Sequence, residues 1–218
     1  MLANRNLART VLVPALVLGA VCSSSAAFAS TGGHAAPVAK DGNAAPVVKR
    51  EMKRGMTLVR FDAAVAKANG YKIVTYANGD QQSVPIARNS KKPKSPILRH
   101  GKGVKAANSD YDKVVGNCGT AWIAVRQTAR NKVQVGTGFT VSSPAISYGW
   151  KIKLSDRNGT SAQSAGGALA ARTQWARTWS NLNQYGWTFD HVEKGAAHLA
   201  NGGVCFAGRP GVSIRGLG

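Results

Sequence analysis

Carboxylates are scarce in this chain: nine Asp and Glu stand against 29 Lys and Arg, a formal net charge of +20 over 218 residues. Chemistry that needs paired carboxylates, such as glycoside cleavage, or a multi-carboxylate cation site, has few places to form. Cysteine and histidine are also thin, at three and four residues. Neither Cys118 nor Cys205 has a Cys-x-x-Cys or Cys-His neighbour, so no metal centre and no cofactor are expected. There is no GxSxG elbow, and GTGF at 136–139 is followed by neither a catalytic histidine motif nor GDSG, which argues against a serine hydrolase. Long apolar runs are missing too. The best of them, Val11 to Val21, is too short for a bilayer core of roughly 30 Å, so no transmembrane segment is expected.

That short run has another reading. Arg5 and Arg9 precede it and Ala27-Phe28-Ala29 follows, the pattern of a secretory signal over 1–29 with cleavage before Ser30. Cleavage removes Cys22 and turns an odd count into a pair, Cys118 and Cys205. In an oxidising compartment such a pair predicts a disulfide rather than a nucleophile. Trp122, four residues beyond Cys118, is expected to share its strand face and pack near the bond.

Composition then divides the mature chain. Residues 30–55 are rich in Ala, Pro, Gly and Lys, with an echo of HAAPVAK in NAAPVVK, and predict a flexible arm. Residues 56–87 predict a short helix capped by Asp62 and a β-hairpin turning at Asn78-Gly79. Residues 88–109 carry seven basic and no acidic side chains and include Pro93 and Pro96. An extended, solvated linker is expected there, either a spacer or an electrostatic contact.

From residue 110 to 218 the pattern is that of an all-β domain, an antiparallel β-sandwich. Val133, Val135, Thr137, Phe139 and Val141 alternate with small or polar residues, and Ile146, Tyr148, Trp150, Ile152 and Leu154 do so again. Turn signals recur at ARNK (129), SSPA (142), DRNG (156), NQYG (183), EKG (193), ANGG (200) and GRPG (208). In the stretch 166–182, Leu169, Trp175, Trp179 and Leu182 also suit a helical face. Gly166-Gly167 and the surrounding β pattern favour a strand.

The excess charge is concentrated early: 30–109 hold 15 basic and 4 acidic residues, 110–218 hold 12 and 5. No recognisable reading element accompanies it, so sequence-specific nucleic-acid binding is not expected. For a secreted chain the expected partners are anionic wall polymers or other acidic surfaces, attracted with little discrimination. The five tryptophans fall between 122 and 187 and are first of all core material. The alternative is an exposed platform for sugar rings or a partner, drawn from Tyr148, Trp150, Trp175, Trp179, Tyr185 and Trp187. A hydrolase would centre on His191 and Glu193, which share one strand face in Asp190-His191-Val192-Glu193, and a membrane-active cationic effector would need an amphipathic helix.

NCGTAWIAV, the pair GTGFTV and ISYGWKIKL, and GGVCFAG together resemble secreted proteins of actinomycete-type bacteria with a single-disulfide all-β domain and no known activity. The likeness spans about 110–208. It implies secretion and one disulfide, and transfers no site residue. The function expected from these features is a secreted, non-enzymatic binding or structural protein retained at the cell envelope by its basic segments.

Overall fold

The computed structural model describes residues 49–101 and 116–217, all within one compact unit spanning Asn43–Gly218. The expected signal and most of the arm, with the stretch from 102 to 115, lie outside the described residues. What is described is mainly antiparallel β-structure folded as a sandwich-like domain, as the alternation predicts.

The chain runs through β1 (Lys49–Phe61), α1 (Ala63–Ala68), β2 (Tyr71–Thr75), β3 (Gln81–Pro85), β4 (Gly119–Ala129), β5 (Lys132–Asp156), β6 (Gly159–Asn183), β7 (Gly186–Leu199), β8 (Gly203–Ala207) and β9 (Gly211–Leu217). Seven strands form one sheet in the order β6-β5-β4-β1-β8-β7-β9, and β5 also pairs with β7. That extra pairing closes the sheet on itself. β5 meets β4 through Lys132–Val141 and β7 through Ala145–Ser155, while β6 follows its other side.

The change of partner falls at Ser142-Ser143-Pro144, expected from sequence to be a turn. Proline has no N–H for the ladder, so regular pairing lapses there. Val141 and Ala145 stay buried on either side, and the strand bends from one layer into the other instead of ending. Glu193-Lys194-Gly195, a second expected turn, is likewise a register shift inside β7. The other signals make turns: Asn131 (φ 55°) and Arg209 (φ 54°) take the left-handed conformation, as do Gly186 and Gly202.

The arm boundary needs correction, because the strand begins at Lys49 and not after residue 55. β1 lies centrally, paired with β4 over Lys49–Met56 and with β8 over Met56–Phe61. Met52, Met56 and Leu58 turn inward, but Lys and Arg among them hide that period in the sequence. The described part of the basic linker is extended yet not free. Leu98 exchanges both backbone hydrogen bonds with Gln81, and Ser95 is buried against Ser83.

The core is the inner face of the folded sheet: Ile123 and Val125 of β4, Val135 and Phe139 of β5, Val192 of β7 and Ile214 of β9. Thr137 sits among them without an unpaired hydroxyl. It donates to Trp122 O at 2.7 Å and accepts from Trp150 Nε1 at 3.0 Å, as a buried polar group requires. The stretch 166–182 is strand, part of β6.

α1, at six residues, is too short to persist alone. Asp62 caps it by accepting from Val65 N at 3.0 Å, and Ala66 packs on the β7–β8 turn, where a side chain at Gly202 would come within 2.8 Å of it. Asp62→Ala should therefore cost roughly 1 kcal/mol, seen as a melting point lower by about 2–4 °C. An unchanged melting curve would mean that packing alone holds the helix.

Candidate ligand-binding surfaces

Cys118 and Cys205 form a disulfide, with Cα atoms 6.1 Å apart. Both are fully buried, so neither is placed as a nucleophile. The bond ties the entry to β4 onto β8, either side of β1: Cys118 N donates to Met56 O at 3.0 Å, and Cys205 lies opposite Leu58. Trp122 does not pack beside it. Gly119 (φ 147°) has no room for a side chain, since a Cβ would meet Thr140 O at 2.1 Å. The alternation resets there, so Ala121 points inward and Trp122 outward.

The aromatic candidates separate by depth. Trp150 is core, and Tyr148 and Trp175 gather with it around Phe139, with ring centroids 4.4–6.3 Å apart. Trp179 packs on the same core and carries the Arg177 guanidinium 5.2 Å above its ring. Tyr185 is half-buried, with its backbone N–H bound to Asp156. Only Trp187 of the six is open to solvent, at 52%.

Trp187 belongs to an inverted strand. In the first half of β7 the polar Thr188 and Asp190 point inward and are fully buried, while Trp187, Phe189 and His191 face outward. The Phe189 and His191 rings stack at 5.0 Å and 23°. They sit beside the backbone of β9 at Gly211, where a Cβ would fall 2.9 Å from His191 Cβ and 3.0–3.1 Å from the Phe189 ring. Lys153 is the register partner of His191, Arg157 lies against Gly186, and Arg209 acts on His191 from the β8–β9 turn. The result is an aromatic ladder with cations along it.

His191 and Glu193 do not act as a pair. Glu193 bonds Lys151 at 2.8 Å, and that hydrogen bond holds its carboxyl below the usual range. His191 Nδ1 has no hydrogen-bond partner, and burial, helped by Lys153 and Arg209 against Glu193, lowers its pKa. A general base oriented by a carboxylate is thus not assembled. Among the described residues no group of three or more His, Cys, Asp or Glu could hold a metal ion.

A second surface was not anticipated. The outward residues of β1, β4, β5 and β6 line a groove of about 710 Å³ that includes Lys49, Lys53, Trp122, Arg126, Gln134 and Thr178. The Trp122 ring lies beside Gly136 and Gly138 of β5: a Cβ at Gly136 would stand 3.4 Å from Cζ3, and one at Gly138 3.0 Å from Nε1. Two glycines two apart were the signal for a ring lying across that strand. Their meaning appears only once the register puts Trp122 opposite Gly138.

Fold and surfaces together define a stapled antiparallel β-sandwich with two aromatic and cationic outer faces. Comparisons with protein-family models, curated proteins and solved structures find no match. Among the described residues no helix is long and apolar enough to cross a membrane.

Proposed function

We propose that this is a secreted, non-enzymatic binding protein that associates with anionic polymers of the cell envelope. The observation that carries the reading is the Trp187–Phe189–His191 ladder, an exposed aromatic row lined by Lys153, Arg157 and Arg209 in a chain of net charge +20. Aromatic faces that natural sheets would bury are here turned to water, and the Glu193 carboxylate beside them is paired with Lys151. The disulfide supports an oxidising, extracellular setting. Arg88, Lys91, Lys94 and Arg99, exposed beside β3, add positive charge that does not depend on the ladder.

The test is cosedimentation of the chain from Ser30 with an insoluble polyuronate and with isolated cell walls, with a neutral glucan as control. Retention should fall several-fold as salt rises from about 0.05 to 0.5 M, over which the screening length shrinks severalfold. Trp187→Ala should weaken binding about tenfold, the loss of one stacked ring. Replacing the four exposed cations by Gln should flatten the salt dependence. Deletion of 30–109 is not a usable control, because it removes β1. No retention on either anionic matrix at low salt would overturn the reading.

A further inference from the structure

We propose that the groove over Trp122 is a subsite for an acidic glycan, with one sugar ring against the indole and the anionic substituent of a neighbouring sugar held by Arg126 and Lys49. The proposal rests on the reading of an anion-binding protein and adds to it a particular site and ligand.

Three observations on one sheet face carry it. The first is the floor. Trp122 is held outward by the reset at Gly119, and Gly136 and Gly138 leave room for its indole to lie across β5, where it lines the groove. Gly138 admits nothing larger, since a Cβ there would also strike Trp175 O at 2.2 Å. The second is charge. Lys49 and Arg126 are direct cross-strand partners, and like charges placed opposite each other destabilise a sheet. No carboxylate pairs with either among the described residues, because Glu51, the acid of the groove, bonds Lys53 at 3.2 Å. An anion between Lys49 and Arg126 would turn their repulsion into two charge-assisted bonds. The third is the polar margin. Gln134 and Thr178 stand along the same groove, groups of the kind that hydrogen-bond sugar hydroxyls, and about 710 Å³ suits a ligand of a few rings.

The occupant is a glycan rather than a bare polyanion because the floor is an aromatic ring rather than a further cation. A polyphosphate would use the cations and leave the indole idle.

The experiment uses the chain from Ser30 and three probes: a short oligouronate, a neutral oligosaccharide of equal length, and inorganic polyphosphate. Titration is followed by calorimetry and tryptophan fluorescence. Trp122→Ala should weaken the oligouronate at least tenfold and leave polyphosphate within twofold, while Trp122→Phe keeps most of the oligouronate affinity. Arg126→Gln should weaken oligouronate and polyphosphate together and lower the salt dependence. If Trp122→Ala fails to fold, the Phe and Gln variants carry the test, since both keep the backbone pairing. Unchanged oligouronate binding in Trp122→Ala, or equal affinity for the neutral probe, would overturn the subsite while leaving anion binding standing. Failure of the unmodified chain to bind any anionic probe would overturn both.

Discussion

Replacing both Cys118 and Cys205 by Ala should lower the stability of this domain by about 4 kcal/mol and its melting point by roughly 8–16 °C. The bond closes a loop of sequence separation 87, for which the chain-entropy model assigns about 4–5 kcal/mol to restriction of the unfolded chain. That is comparable to the whole stability of a small domain at the lower end of the usual range. Its position adds to the effect. β1 reaches its two neighbours over different lengths, β4 up to Met56 and β8 from Met56 onward. The disulfide crosses at this handover, where Asn117 fills the ladder by accepting from Leu58 N at 2.9 Å. Urea and thermal unfolding of the double variant measure the loss. A thiol titration in urea on the chain from Ser30 should find no free thiol before reduction and two after it. A loss below about 1 kcal/mol would show that the bond is not a main constraint on the unfolded chain.

Much of this architecture was legible because alternation and turn chemistry act locally. Phe139 and Val141, or Ile152 and Leu154, announce an inward face without knowledge of partners, and Asn131 or Gly202 announce a turn for the same reason. The pairing of Cys118 with Cys205 needed only the removal of Cys22 from the count. What escaped depends on register or on two strands together. The part of β1 up to residue 55 reads as arm because Lys49, Glu51 and Lys53 on its outer side, with Arg50 and Arg54 between, outweigh the methionine period. Ser-Ser-Pro looks the same whether a strand stops or crosses between layers. Which rings face water escaped for a subtler reason. Trp187 and Phe189 alternate with Thr188 and Asp190, which by hydrophobicity alone puts the rings inside. Pairing of Val192 with Ile152, and of Asp190 with Leu154, sets the opposite parity. Where local preference loses to global register in this way, function is the usual reason.

The same inversion buries Asp190, and there the consequence is a stability that depends on pH. Its side chain is fully buried on the inner face of β7, receives a hydrogen bond from Gln184 Nε2, and leaves Oδ2 without a partner. Burial raises its pKa to about 7, with the neighbouring Asp156 acting in the same direction and the Gln184 and Ser155 hydrogen bonds opposing. Unfolded, the carboxyl releases its proton near pH 4. Between about pH 4 and pH 7 the folded state therefore binds the extra proton, and stability falls as pH rises, reaching its full cost above 7. Three pKa units bound that cost at about 4 kcal/mol. Asp190→Asn keeps the shape and the acceptor for Gln184, and supplies two N–H donors in a cluster where Gln184 Oε1 lacks one. The variant should match the unmodified chain in urea at pH 4, gain steadily to pH 7, and keep a constant advantage to pH 8.5. An advantage that does not change with pH would mean that Asp190 titrates in the ordinary carboxylate range, and that the polar cluster at this end of the core is stable as an anion.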